Sequence, residues 1–177
     1  MLGRYLLAML ETVQMALLAL VISVVVAFPL SFLASRNTLE IIFPGHSSFW
    51  KTLRAAIYTS VRFFANFTRS INEVIWALLF VSAVGLGPMP GILALGLHTS
   101  GVLIKLFSEG IEGVSRDPID ALAATGAASP KIIRYAVIPQ ITPYLVSMSL
   151  YRLESDLRSA TILGFTGAGG IGMLLFD

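Results

Sequence analysis

The hydrophobic pattern divides the chain into long apolar runs separated by short polar or glycine-rich breaks. From Thr12 to Ser35 there are 24 positions without a charge. As a helix rising 1.5 Å per residue they extend about 36 Å, enough to cross a hydrocarbon core of about 30 Å with some tilt. The run is too long for the short apolar core of a cleaved leader, so it predicts a first span over 12–35. Pro29 within it is a defect that membrane helices tolerate. Arg36 to Lys51 is polar and turn-forming, with Asn37, Pro44, Gly45, His46, Ser47 and Ser48, and reads as a loop. A long helical pattern follows over 52–84, amphipathic at first and strongly apolar from Val74. A bend is expected at Ser70-Ile71-Asn72. The uncharged stretch Gly85 to Gly91 reads as a turn, and a third span is expected over 92–114.

Beyond Arg116 the pattern shortens. Asp117 as N-cap, Pro118 at the first helical position and Asp120 three residues after the cap form a variant of the capping box. Gly126 lies near the end of that short helix. Ser129-Pro130 repeats the cap-then-proline signal, so a second short helix is expected to about Val137, interrupted by Pro139. The segment 117–138 therefore reads as two small helices joined by a tight turn. A fourth span is expected over 142–163, followed by the glycine-rich run 164–172.

Composition narrows the class. Hydrophobic residues make up 56% of the 177 positions and charged residues 12%, with mean hydropathy +0.83. Soluble domains average about 45–50% and about 25%, so a water-soluble globule and a disordered chain are both disfavoured. With no cysteine and only His46 and His98, neither a thiolate site nor a local metal motif is present in the sequence. The twelve Lys and Arg are scattered rather than clustered, which argues against nucleic acid. They read instead as topology signals. Arg36, Lys51 and Arg54 mark one connection and Lys105, Arg116, Lys131 and Arg134 another, whereas the 85–91 turn carries none. Both basic connections should face the cytoplasm. The N-terminus and the glycine-rich end then lie outside, unless that end opens into a returning fifth helix. No phosphate-binding loop or hydrolase elbow is visible, so no ATP site is expected on this chain.

Several of these residues carry a resemblance. Asp120-Ala121-Leu122, Gly126 and Val137-Ile138-Pro139 resemble the EAA loop of permease subunits of bacterial ATP-binding cassette importers. Asp stands for Glu and Leu for the second Ala. Arg69-Ser70-Ile71, Val84-Gly85-Leu86-Gly87-Pro88, Leu97-His98-Thr99, Tyr151-Arg152, Thr161-Ile162-Leu163-Gly164 and the run 167–172 resemble the phosphonate-type permeases of that family. The likeness covers about residues 11–172. Asn72 stands where the family has Pro, and Asp156 where it has Asn. Such permeases have at least one more span after the glycine motif, so the chain looks truncated. The resemblance implies an all-α transmembrane, multi-span permease core in a bacterial inner membrane, lacking its last spanning helix. It implies a membrane homodimer with the path between two copies. A separate ATP-binding subunit would carry ATP and Mg, and an extracytoplasmic substrate-binding protein would deliver a phosphonate or related phosphorus oxyanion. The chain itself would be neither an enzyme nor a cofactor carrier. The contact with the ATPase would fall on Asp120, Ala121 and Gly126, with Ile138 and Pro139 completing the motif.

The second constellation is Arg152, Glu154, Asp156 and Arg158 inside the fourth span. Charges within a membrane must be paired or face water. Arg152 with Asp156 and Glu154 with Arg158 are i,i+4 pairs on nearly opposite faces. At most one of them can readily line a path; the other should face partner helices. An arginine there could pass an oxyanion, or both pairs could simply join helices. Arg69 and Glu73 form a third i,i+4 candidate on the second span, and His98 is either a satisfied polar residue or a substrate contact. The glycines of 164–172 read alone as a flexible turn; the resemblance favours close helix approach. Three further readings stay open: a methionine-type or other small-solute importer, a proton-coupled secondary transporter using Glu154 and Asp156, and a membrane scaffold.

Overall fold

The computed structural model describes residues 2–45 and 47–174; His46 lies outside the described residues. Among these the regular structure is helical throughout. Helix α1 (Leu2–Leu33) is followed by a short α2 (Arg36–Ile42), then α3 (Ser48–Ser70), α4 (Glu73–Val84) and α5 (Pro88–Glu112). Next come α6 (Asp117–Ala124), α7 (Ser129–Ile132), a π-helical turn (Ile133–Val137) and α8 (Ile138–Leu163). A 3-10 turn (Gly164–Thr166) and α9 (Ile171–Leu174) complete the described chain.

Residues Gly3–Leu33 and Pro88–Glu112 are long and apolar enough to cross a membrane. Helices α3 and α4 make a third candidate span if taken together, bent by 88° at the break. That break falls at Ile71-Asn72, where a bend is expected. Asn72 caps α4, its Oδ1 accepting from the Val74 N–H at 2.9 Å. Helix α8 is 26 residues long but, with Arg152, Glu154, Asp156 and Arg158 in it, is not apolar enough to cross a membrane on composition, so the fourth span expected over 142–163 is not matched.

Several boundaries differ from those expected. Helix α1 starts at Leu2 rather than Thr12, because Arg4 and Glu11 limit the uncharged run without breaking the helix. The 85–91 turn is shorter than expected: Pro88 opens α5, where its missing N–H has no intrahelical partner to lose. The 36–51 loop contains α2. Asp117 is the first helical residue of α6 rather than its cap, and Arg116 before it already has helical φ and ψ. Ser129 does not cap α7; its hydroxyl donates instead to the Ile41 carbonyl at 2.6 Å. The second short helix does not stop at Pro139. It runs through the π turn into α8, and the wider turn coincides with the proline that would crowd the carbonyl four residues back.

Three apolar clusters lie along the bundle. One joins Ala16, Ala19, Ala94, Leu95, Ala160 and Leu163; a second joins Ala27, Ala65, Leu103, Ile104 and Phe107. Small side chains let α1 and α5 approach closely, as membrane helices do, and Ser23 Oγ donates across that contact to the Gly96 carbonyl at 2.9 Å. The third cluster gathers Phe32, Ile111, Ile119, Ile132, Val137 and Ile141. It therefore seats α6 and α7 on the ends of α1 and α5. The run 164–172 is an ordered turn: a Cβ on Gly164 would strike the backbone of Gly172, and the Ile171 N–H donates to Thr12 Oγ1 at 2.9 Å. Gly164 and Gly172 serve close approach, whereas Gly167, Gly169 and Gly170, with φ of 84°, 80° and 78°, also serve the turn itself.

Candidate functional site

The polar groups of α4, α5 and α8 meet inside the bundle. Arg152 Nη2 lies 3.0 Å from Asp156 Oδ1, and the two side chains are 12% and 0% exposed. The i,i+4 spacing puts both on one face of α8, and that face is turned toward α5. There Thr99 Oγ1 donates to Asp156 Oδ1 at 2.8 Å, and Arg152 donates to the same hydroxyl at 3.0 Å. Asp156 Oδ2 and Arg152 Nε have no hydrogen-bond partner among the described residues. A charged pair this buried is held by mutual geometry, since neither member can be left alone in a low dielectric without a cost of several kcal/mol.

His98, one residue before Thr99, faces the α3–α4 break. Its Nδ1 lies 3.0 Å from the Ile71 carbonyl, which can only accept, so Nδ1 carries the proton. Its Nε2 lies 3.6 Å from Glu73 Oε2, and Ser159 Oγ donates to Glu73 Oε1 at 2.7 Å. His98 is ten residues from the start of α5, about 15 Å along the axis. This network ties the broken span to α8 through α5. His98 thus braces the break through Ile71.

The expected Arg69–Glu73 pair does not form. The chain leaves the helix between them, so i,i+4 spacing no longer means one face. Arg69 is exposed and donates to Asn66 Oδ1 at 3.1 Å. Glu154 and Arg158 do pair, at 3.1 Å, but on the opposite face of α8, with side chains 71% and 74% exposed. Tyr151 and Leu150 share that open face.

At the other end, Asp120, Ala121 and Gly126 are exposed, as is Pro139, and Ile138 is half-buried. Gly126 has φ of 75°, the left-handed region that other residues enter only at a cost of roughly 1–2 kcal/mol. A Cβ there would meet nothing within 4 Å, so within this chain the turn, not crowding, requires glycine. Beneath this exposed surface Asn37 Nδ2 donates to the Glu112 carbonyl at 3.1 Å, and Arg116 donates to Asn37 Oδ1 at 3.1 Å. Glu112 also accepts from the Arg36 N–H and pairs with Arg62, each at 3.1 Å.

Thr99, Ser159, Asn37 and Glu112 escape the sequence reading. Only the first two carry a signal, as neighbours of His98 and Arg158.

An all-helical bundle with one sharply bent span, a buried charged network and a compact pair of short helices between α5 and α8 defines a membrane transport subunit. Residues 51–177 match the family model described as binding-protein-dependent transport system inner membrane component, and the chain belongs to that family. Its place is the inner membrane. Over 167 residues it is 41% identical to a putative phosphite transport system permease protein, HtxC, of Stutzerimonas stutzeri, covering 94% of this chain and 55% of that protein. Over 85 residues it is 52% identical to a putative cryptic phosphonate transport system permease protein, PhnE2, of Escherichia coli K12, covering 48% and 70% respectively. The fold matches an inward-facing MetNI methionine ABC transporter with a TM-score of 0.79 at 22% identity, over 97% of this chain and 78% of the other. The chain thus spans about half the length of relatives such as HtxC.

Proposed function

We propose that this chain is a permease subunit of an ATP-driven importer of a phosphonate or related phosphorus oxyanion. The observation that carries the reading is the likeness to HtxC over 94% of the chain. The methionine transporter, at 22% identity, argues for the fold alone. A proton relay is disfavoured because both of its carboxylates are engaged, Asp156 by Arg152 and Thr99 and Glu154 by Arg158.

ATP is hydrolysed on a separate subunit that docks on the exposed surface of α6 around Asp120, Ala121 and Gly126. Ile119 and Ile132 pass that motion to α1 and α5 through the cluster they share with Phe32 and Ile111. An extracytoplasmic binding protein delivers the substrate. Two copies of the permease pair in the membrane with the open face of α8 toward the path between them, which gives Glu154 and Arg158 the water or partner that charges require.

The test is co-purification with the ATP-binding subunit, then vanadate-sensitive hydrolysis with binding protein and a phosphonate. Stimulation by the phosphonate and not by methionine is the expected result. Failure to bind any ATP-binding subunit would overturn the coupling role. Cross-linking through a cysteine placed at Tyr151 reports on pairing: a disulfide-linked dimer supports two copies facing through α8, and its absence removes that arrangement.

A further inference from the structure

A cavity of about 460 Å³ opens between α2 and the first turns of α3, lined by Arg36, Leu39, Glu40, Lys51, Arg54 and Tyr58 among others. It lies apart from the charged network of α4, α5 and α8, on the side that the distribution of Lys and Arg places toward the cytoplasm. Its charge is unbalanced. Arg36, Lys51 and Arg54 face one carboxylate, Glu40, and none of the three is in an ion pair among the described residues. Arg54 donates to the carbonyls of Gly45 at 3.0 Å and Trp50 at 3.3 Å, which orient the guanidinium without neutralising it. Arg36 is held 4.9 Å above the Tyr58 ring. The nearby Arg62, 4.6 Å from the same ring, is already paired with Glu112.

The surroundings are those of a membrane interface. Phe43 stacks on Trp50 with centroids 5.7 Å apart, Phe49 meets Trp50 edge-on at 5.9 Å, and Phe49 is 69% exposed. Aromatic rings at a helix start beside basic residues mark the headgroup level. Basic pockets between membrane helices on the cytoplasmic side bind anionic headgroups.

We propose that the cavity between α2 and α3 binds an anionic glycerophospholipid of the cytoplasmic leaflet, its headgroup phosphate taken by Arg36, Lys51 and Arg54. The chemistry recognised is a phosphate oxyanion, and the interfacial setting marked by the Phe43, Phe49 and Trp50 rings selects the lipid over a free anion. This site is independent of the transported substrate.

Trp50, which precedes Lys51 and whose carbonyl accepts from Arg54 at 3.3 Å, is the reporter. The chain contains one other tryptophan, Trp76, so Trp76→Phe isolates its fluorescence. The protein is reconstituted in phosphatidylcholine nanodiscs with increasing brominated phosphatidylglycerol, whose bromine quenches nearby tryptophan. Trp50 should be quenched at lower mole fractions of brominated phosphatidylglycerol than of brominated phosphatidylcholine. Each basic residue contributes about a fivefold preference. Lys51→Gln, whose side chain makes no hydrogen bond or ion pair among the described residues, should cost about fivefold, and Lys51→Gln with Arg54→Gln roughly twentyfold. Arg54→Lys should keep most of the preference. Millimolar inorganic phosphate should leave the quenching unchanged; displacement would make this a free-anion site and overturn the lipid assignment. Equal quenching by both lipids would overturn it, as would an equal loss in Arg134→Gln, which removes a basic charge elsewhere on the same side.

Discussion

Thr99 Oγ1 lies 2.8 Å from Asp156 Oδ1 and 3.0 Å from Arg152 Nη2, so one hydroxyl on α5 is shared by both members of a buried ion pair on α8. Removal of one charge and removal of both should therefore differ in effect. Asp156→Ala strands Arg152 and is expected to destabilise the chain by about 3–5 kcal/mol. Replacing both, as Arg152→Met with Asp156→Leu, should recover more than half of that loss. Thermal unfolding in detergent measures both; equal losses would mean that the pair is not the element at stake.

The exposed pair should behave in the opposite way. Glu154 and Arg158 sit in high exposure, where an i,i+4 bridge contributes about 0.3–0.5 kcal/mol. Arg158→Gln is expected to shift stability by no more than that while lowering transport of a phosphorus oxyanion at least about tenfold. Normal uptake by a stably inserted Arg158→Gln protein would make the pair helix glue and remove it from the path.

Gly126 distinguishes a backbone requirement from a contact requirement. Asparagine tolerates the left-handed region better than other residues, so Gly126→Asn should retain the turn. Gly126→Trp loses the conformation and also adds bulk to an exposed surface. The expected outcome is insertion of both proteins, with transport much reduced in Gly126→Trp and largely kept in Gly126→Asn. Equal loss in both would point to close approach by the ATP-binding subunit at that Cα.

Asn72 occupies a position where proline fits. Its φ is −62°, near the value a proline ring imposes, and Ile71 before it is extended, as a residue preceding proline should be. Asn72→Pro gives up the cap on the Val74 N–H, worth about 1 kcal/mol, and narrows the unfolded ensemble by about 0.4–1 kcal/mol. The two nearly cancel, so the unfolding midpoint should move little. Asn72→Ala loses the cap without that compensation and should be the less stable of the two.

Residues close in sequence were read well wherever the backbone stays regular. Arg152 with Asp156 and Glu154 with Arg158 pair as their spacing requires, on opposite faces of one helix. The same rule misleads for Arg69 and Glu73, because it presumes an unbroken helix and the break at Ile71-Asn72 rotates one residue away from the other. The bend itself was legible from the polar Ser70-Ile71-Asn72 junction, whereas its 88° angle and its bracing by His98 were not. Helix α2 was hidden for a related reason: its seven residues are too few to show periodicity, and its anchors, Glu112 and Ser129, lie more than seventy positions away.

The amino-acid sequence by itself determined the class of protein, because long uncharged runs can be satisfied only in lipid and charges spaced four apart within a span must find each other. It also carries the expectation that the basic connections face the cytoplasm, because Lys and Arg in short connections bias orientation locally. Tertiary structure alone decided which of two equivalent ion pairs is enclosed. A helix presents both faces equally until α5 packs against one, and it is the approach of Thr99 that seals Asp156 inside and leaves Glu154 and Arg158 open. It also decided that Arg36, Lys51 and Arg54 converge on one cavity, because only the folding of α2 back onto α3 brings Arg36 beside Lys51 and Arg54.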